Sequence, residues 1–308
     1  MRDQKSSNRE AELKAIPRIG SGDWLGRIVC GDNTEVLSGF PAECVDLVVT
    51  SPPYDDLRTY GGHSWNFETL AAQLVRVLKP GGVIVWVVGD KTEDGSETLS
   101  SMKQAIHFKE TCGLKVWDTM IWHKPNPAPG DGKFRYHQAW EYVFVMTKGQ
   151  PKTCNMIRDV PASMGGRTET IGYDRRHDQA NTKTARKPFL RPELGFRSNV
   201  WTVAKSPAAE DAIAKDGHPA IFPLRLAKDL VASWSNPGDV VLDCFAGSGT
   251  TLKAAKELER QWCGIEINPE YCAIAEARLS QDVLQLETCS MRPNATLHLP
   301  TEAQRKLF

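Results

Sequence analysis

Short apolar runs alternate with amphipathic stretches along most of the chain. The apolar runs, predicted as strands, lie at 27–30, 44–50, 83–88, 116–122, 142–146, 240–242 and 261–267. The stretches predicted as helices lie at 33–38, 66–78, 100–112, 223–235, 250–259 and 269–286. Continuous apolar runs are typical of parallel strands buried on both faces. The alternation therefore predicts an α/β fold, with a mostly parallel sheet and helices on both faces.

Two parts of the chain depart from this pattern. Residues 1–22 form a polar lead that is expected to be flexible, and 150–217 are polar, basic and without a long periodic segment. Between Lys152 and Lys205 there are 11 lysines and arginines against five acidic residues, although the whole chain has a formal net charge of zero. A basic segment in a neutral protein is a candidate phosphate-facing surface. We interpret 150–217 as an insertion into one domain.

Composition narrows the class of protein. The chain has 308 residues and 41% hydrophobic content, which is enough for one large α/β domain. Its eight cysteines form no CxxC pair and have no zinc spacing. They favour a reduced, cytoplasmic protein without a structural metal. The sequence contains neither a signal peptide nor an apolar run long enough for a membrane span, so no membrane partner is expected.

The predicted strand at 44–50 ends in Ser51-Pro52-Pro53-Tyr54. Proline lacks an N–H and fixes φ, so the chain cannot continue as a central strand. Backbone carbonyls are therefore expected to point into a cleft, with Tyr54 beside them as a stacking surface. This combination suits a planar base that carries an exocyclic amine.

A glycine loop follows another strand, at Asp243-Cys244-Phe245-Ala246-Gly247-Ser248-Gly249-Thr250-Thr251. Glycines let the backbone approach a ligand, and a helix N-terminus binds anionic groups. Glu266, at the end of the next strand, stands where doubly wound folds hold a ribose diol. Asp243 is placed to meet an ammonium. S-adenosylmethionine (SAM) carries a ribose, an ammonium and a carboxylate, so it fits both acids and the helix end.

With these two motifs the chain resembles the amino-group DNA methyltransferases, which methylate cytosine N4 or adenine N6. Thr50 to Tyr54 looks like the family's catalytic motif, and Asp243 to Thr251 looks like its cofactor loop. The segment 218–223 resembles the one that packs beside the methionine moiety, and Gly31-Asp32 the one that faces the adenine. The catalytic loop precedes the cofactor loop, which is the permuted order of the beta class. Cys244 stands where the family usually has proline.

The resemblance implies a Rossmann-like methyltransferase fold with a mostly parallel, seven-stranded sheet that has one antiparallel strand. It places the catalytic domain at 23–149 and 218–290, an inserted target-recognition region at 150–217, and a tail at 291–308. The implied catalytic residues are Ser51, Pro52, Pro53 and Tyr54. The implied SAM-binding residues are Asp32, Phe222, Asp243, Phe245, Ala246, Gly247, Ser248, Gly249, Thr250 and Glu266.

The implied partner is double-stranded DNA, and a cognate restriction endonuclease is a further possible partner. The host is expected to be a bacterium, an archaeon or a phage, and the protein a monomer or homodimer. The target base must be flipped out of the stack. Candidates to clamp the gap are 55–63, with Arg58 and Tyr60, and 124–136. Candidate phosphate or base contacts are Arg167, Arg175, Arg176, Arg186 and Arg197.

Ser51, where adenine enzymes commonly have aspartate, favours cytosine N4 as the target. Adenine N6 stays open as the alternative, followed by an RNA or protein amide, and then by a DNA-binding module without activity. Methylation at cytosine C5 needs a cysteine nucleophile in a Pro-Cys dipeptide, and the chain contains none.

Overall fold

The computed structural model describes residues 23–53, 65–127, 134–163, 165–174, 182–204 and 223–280. The strands in this part are β1 (Arg27–Cys30), β2 (Val45–Thr50), β3 (Leu78–Val88), β4 (Thr92–Glu93), β5 (Ser96–Glu97), β6 (Lys115–His123), β7 (Trp140–Thr147), β8 (Arg158–Pro161), β9 (Thr168–Asp174), β10 (Thr182–Leu190), β11 (Leu194–Phe196), β12 (Val200–Thr202), β13 (Val240–Asp243) and β14 (Gln261–Glu266). The helices are α1 (Asn33–Ser38), α2 (Phe67–Val77), α3 (Ser100–Glu110), α4 (Leu224–Trp234), α5 (Thr250–Glu257) and α6 (Pro269–Ser280).

The central sheet has the order β1-β14-β13-β2-β3-β7-β6-β12. Its strands pair in parallel, except that β7 is antiparallel to both β3 and β6. The prediction of an α/β fold with a mostly parallel sheet and one antiparallel strand is confirmed. The predicted number of seven strands is wrong, because the three-residue strand β12 adds an eighth by pairing with the outer edge of β6.

Both faces of the sheet are covered. All six residues of β2 are buried. Leu47 and Val49 face the core that contains apolar residues of α4 and α5, while Val48 faces the core formed with α1, α2 and α3. This two-sided burial explains why the sequence reads as a continuous apolar run rather than as an alternating one.

The start of β3 differs from the prediction, which placed it at Val83. Asn66 caps α2 through its side chain, which accepts a hydrogen bond from the Thr69 amide, and the helix ends at Val77 as expected. The strand, however, begins at Leu78 and includes Lys79-Pro80-Gly81-Gly82, a sequence that predicts a break between helix and strand. Between Leu78 and Val83 it makes a bulge against β2. A side chain at Gly82 would lie 2.8 Å from Leu78, so glycine is needed in this bulge.

The basic range 150–217 contains short strands that local periodicity did not predict. β9 pairs with β10 and β8 with β11, both antiparallel and both with a register shift. Its assignment as an inserted recognition region stays a prediction, and β12 within it belongs to the central sheet. The lead at 1–22 and the tail at 291–308 lie outside the described residues. No described helix is long and apolar enough to cross a membrane.

Candidate active site

The predicted site residues collect at one edge of the sheet. Seven of its eight strands run in the same direction, so their carboxyl ends meet at that edge. β1 ends before Asp32, β2 ends at Thr50, β13 at Asp243 and β14 at Glu266. In open α/β sheets, ligands bind in the crevice outside these ends.

A buried hydrogen bond joins the end of β2, just before Ser51, to the glycine loop 243–251. The Thr50 hydroxyl donates to Oδ1 of Asp243 at 2.7 Å, and both residues are buried. The Phe245 amide donates to the same oxygen at 3.1 Å. Because β2 and β13 are parallel neighbours, the start of the Ser51-Pro52-Pro53 segment lies beside the first acid of the glycine loop.

Burial dominates the electrostatics of Asp243. Loss of solvent raises the pKa of its carboxyl from 3.8 to about 6, despite opposing hydrogen bonds from Thr50, Phe245 and Thr251. The nearby charge of Glu266 raises the pKa further. Burial makes the ionised form of this carboxyl unfavourable, and a nearby cation would stabilise that form. The position is therefore well suited to a ligand ammonium.

The glycine loop leads into the N-terminus of α5. Gly249 caps this helix with φ +76, a left-handed conformation that favours glycine, and no side chain caps the helix. A side chain at Gly249 would also lie 3.1 Å from Ala275 of α6. The first-turn amides of α5 therefore lack a side-chain cap, which leaves the helix end suited to a ligand carboxylate.

Glu266 holds the loop with both carboxylate oxygens. Oε2 accepts a hydrogen bond from the Gly247 amide at 2.8 Å, and Oε1 accepts one from the Asn268 amide at 2.9 Å. Carboxylate oxygens each have further acceptor capacity, so these bonds are compatible with binding of a hydroxyl pair. Asp32, in contrast, caps α1 by accepting hydrogen bonds from the Thr34 and Glu35 amides. Its adenine contact stays a prediction.

Three residues that sequence reasoning missed support the loop. Arg278 of α6 is 4% exposed, and its guanidinium donates to the Ser248 carbonyl at 3.1 Å and to the Thr250 hydroxyl at 2.8 Å. The Asn33 side chain donates to the Cys244 carbonyl at 3.2 Å. Trp65 packs edge-on against Phe245 with ring centroids 5.1 Å apart. Of these three residues, Arg278 alone could have been noticed in the sequence, because it is a charged residue on the apolar side of α6, next to the buried Leu279.

Pro52 is buried, whereas Ser51 and Pro53 are partly exposed directly after β2. The remaining members of the predicted catalytic, cofactor and clamp sets lie outside the described residues; they are Tyr54, Arg58, Tyr60 and Phe222.

The predicted DNA-binding arginines have different surroundings. Arg167 is exposed, Arg186 lies in β10, and Arg175 and Arg176 fall outside the described residues. Arg197 donates to Asp159 on β8 and at 2.7 Å to Asp229 on α4, and it stacks over Trp201 at 4.9 Å. These contacts fasten the β8–β11 pair to α4. The DNA contacts of all five arginines stay predictions.

The sheet topology and the two loops define a Rossmann-like methyltransferase. Residues 45–277 match the N6_N4_Mtase family, described as DNA methylase, and the chain belongs to this family. It is 47% identical over 243 residues to the orphan methyltransferase M.BamHII of Bacillus amyloliquefaciens, an alignment that covers 78% of this chain and 90% of that protein.

Solved structures agree with this fold. The PvuII DNA methyltransferase (cytosine-N4-specific) matches with a TM-score of 0.60 at 24% identity, over 83% of this chain and 86% of that one. The M1.HpyAVI–SAM complex matches with a TM-score of 0.53 at 25% identity, over 83% and 99% of the two chains. The protein is a SAM-dependent DNA methyltransferase. The donor set at the sheet edge fits SAM: two acids and a helix N-terminus without a side-chain cap.

Proposed function

We propose that this DNA methyltransferase modifies the exocyclic N4 of cytosine in double-stranded DNA, after flipping the base into the cleft beside β2. The observation that carries the proposal is the buried Thr50–Asp243 hydrogen bond. It fixes the beginning of the Ser51-Pro52-Pro53 segment against the loop that is suited to SAM. An amine held by that segment would therefore lie next to the methyl donor.

In this proposal Asp243 receives the cofactor's ammonium, Glu266 the ribose, and the N-terminus of α5 the carboxylate. Asp32 lies at the end of β1, on the side of Glu266, and would face the adenine. SAM supplies an electrophilic methyl group on a sulfonium. The remaining chemistry is positioning by this chain, which requires alignment rather than a covalent enzyme intermediate.

An amine on an aromatic ring is a poor nucleophile, because its lone pair is delocalised into the ring. Acceptance of its two N–H hydrogens by the Ser51 hydroxyl and the Pro52 carbonyl would orient that lone pair in line with the methyl–sulfur bond. Tyr54 would stack on the base. Formation of the nitrogen–carbon bond, with loss of the carbon–sulfur bond, would leave a positive charge on the nitrogen and make the amine strongly acidic. Its proton can then leave to solvent without a dedicated strong base.

The preference for cytosine over adenine rests on Ser51, which stands where adenine enzymes commonly have aspartate. The PvuII enzyme is named as cytosine-N4-specific, but at 24% identity that likeness concerns the fold.

Expression in a host without DNA methylation tests the target base. We expect nucleosides from the digested host DNA to contain N4-methylcytosine by mass spectrometry, while DNA from cells with the empty vector contains none. N6-methyladenine alone would reject the N4 assignment and retain the enzyme class. Sequencing the same DNA for methylated positions would report the recognition sequence.

A second prediction concerns Glu266. Replacement by glutamine leaves one oxygen for two amide donors, so either Gly247 or Asn268 loses its partner. In the proposed complex the same carboxylate also accepts the ribose hydroxyls, so the loss of an acceptor oxygen would leave a ribose hydroxyl without a partner, at a cost of about 1–3 kcal/mol. We expect SAM affinity, measured by calorimetry, to fall roughly 5- to 150-fold. Glu276→Gln, which changes an exposed glutamate of α6, is the matched control. Equal SAM affinity of Glu266→Gln and the wild type would remove Glu266 from the site.

A further inference from the structure

Two aromatic side chains near the catalytic edge of the sheet are unusually exposed. Phe134 is 88% exposed and Tyr136 is 103% exposed. Isolated apolar groups on a surface need no explanation, but two large rings within three residues form a patch that normally marks an interaction site. Neither ring contributes to the cores described above.

The backbone that carries the two rings is anchored. Arg135 lies between them and reaches back to the β4–β5 hairpin, where it donates to the Gly95 carbonyl and lies 3.9 Å from the Glu97 carboxylate. At the end of the segment 134–139, the Ala139 carbonyl accepts a hydrogen bond at 2.6 Å from the Lys124 amide. The rings are thus presented on a fixed segment rather than packed into the protein.

Sheet topology places the end of this segment at the same edge of the sheet as Ser51. β7 is antiparallel to its neighbours, so its amino end, which follows the segment, lies at the same edge as the carboxyl ends of β2 and β3. Only β3 separates β7 from β2 in the sheet. Neighbouring strands are about 4.8 Å apart, so β7 lies about 10 Å from the strand that delivers Ser51.

We propose that Phe134 and Tyr136 stack on the DNA bases that are left unpaired or unstacked when the target nucleotide is flipped out. This inference rests on the proposed function, and it assigns the two rings to the gap in the duplex. Base faces are flat and accept any aromatic ring, and the alternation of the rings with Arg135 and His137 matches surfaces that bind nucleic acid.

The test compares a duplex that contains the mapped recognition sequence with the same duplex mispaired at the target base. The mispair lowers the cost of flipping. For Phe134→Ala/Tyr136→Ala we expect kcat/KM on the paired duplex to fall roughly 5- to 150-fold, and most of the loss to be recovered on the mispaired duplex. Tyr136→Phe keeps the ring and should behave as the wild type. Trp117→Ala removes an exposed ring near the amino end of β6, at the opposite edge, and serves as control.

Fluorescence of 2-aminopurine at the target position gives a second readout, and the double variant should show less flipped base at saturation. An equal loss on paired and mispaired duplexes, or no loss on either, would overturn the stacking role. So would normal methylation combined with a change of oligomeric state in sedimentation, which would assign the rings to a contact between protein copies. Failure of the wild type to methylate any DNA would instead reject the proposed function. Thermal melting checks that each variant is folded.

Discussion

Replacing Ser51 by alanine is expected to lower kcat for methyl transfer roughly 100- to 1,000-fold, the size of effect found when one preorganised hydrogen-bonding group is removed from an active site. The reason is positional. Alanine cannot accept the amine hydrogen, so the nitrogen lone pair loses its alignment with the methyl group. The neighbouring Thr50–Asp243 hydrogen bond does not involve Ser51, so the glycine loop should keep its structure.

Single-turnover transfer of a tritiated methyl group to the mapped duplex measures this loss. Affinities for SAM and for DNA should remain close to those of the wild type, because the proposed role of Ser51 is to orient the amine. Ser38→Ala, at the exposed end of α1, is the matched control. An unchanged kcat in Ser51→Ala would move the reacting amine to another part of the sheet edge.

The local pattern was sufficient to predict the elements that form the catalytic core. β2 has all six residues buried, so its composition alone indicates a central strand. The ends of α2 follow from an asparagine cap and from the Lys79-Pro80-Gly81-Gly82 sequence, although these residues form the start of β3 rather than a turn. The glycine loop is equally local, because strand, turn and helix follow each other within about a dozen residues. Elements of this kind were predicted to within a few residues.

The eighth strand could not be predicted from the same pattern. β12 has three residues, and it becomes a strand by pairing in parallel with β6, about 80 residues earlier in the chain. No local periodicity distinguishes Val200–Thr202 from a loop. The strand pairs β8–β11 and β9–β10 are also hard to predict from local sequence. Each contains a register shift, which breaks the alternation of side chains that would indicate a strand.

The supporting side chains of the site depend on tertiary packing. Arg278 reaches the glycine loop because α6 packs against it at Gly249, and Asn33 bonds to a carbonyl that is 211 residues away in sequence. The spacing of the motifs was sufficient to predict the acids at the strand ends, Asp243 and Glu266. It did not give the groups that hold the loop between them, because those lie on other elements.

The unusual ionisation of Asp243 can be tested by substitution. Its Oδ1 accepts hydrogen bonds from both Thr50 and Phe245, and an asparagine oxygen at the same place can accept both. Asp243→Asn therefore removes the charge while keeping the main contacts of the loop. Hydrogen bonds to charged groups contribute about 1.5–3 kcal/mol, so SAM affinity is expected to fall roughly 10- to 150-fold in calorimetry at pH 8. Asp23→Asn, an exposed change, is the control.

The pH dependence separates loss of charge from loss of structure. The pKa of Asp243 is about 6 without ligand, and binding of an ammonium favours the carboxylate. Wild-type SAM affinity should therefore be constant above about pH 7 and fall roughly tenfold by pH 5. The asparagine side chain does not titrate, so the difference between the variant and the wild type should shrink as the pH falls through 6. A difference in affinity that stays constant between pH 8 and pH 5 would exclude a contact between Asp243 and the ammonium.

Stability without SAM should follow the opposite trend. A carboxyl with a raised pKa binds its proton more tightly in the folded state, so its contribution is largest below about pH 4 and is lost as the pH rises to about 6. The wild-type free energy of unfolding should therefore decrease across this window, by up to about 3 kcal/mol. Asp243→Asn should lack this slope and be at least as stable as the wild type at pH 8. Chemical denaturation at several pH values measures both slopes, and it establishes whether the weakened SAM binding of the variant occurs in a fully folded protein.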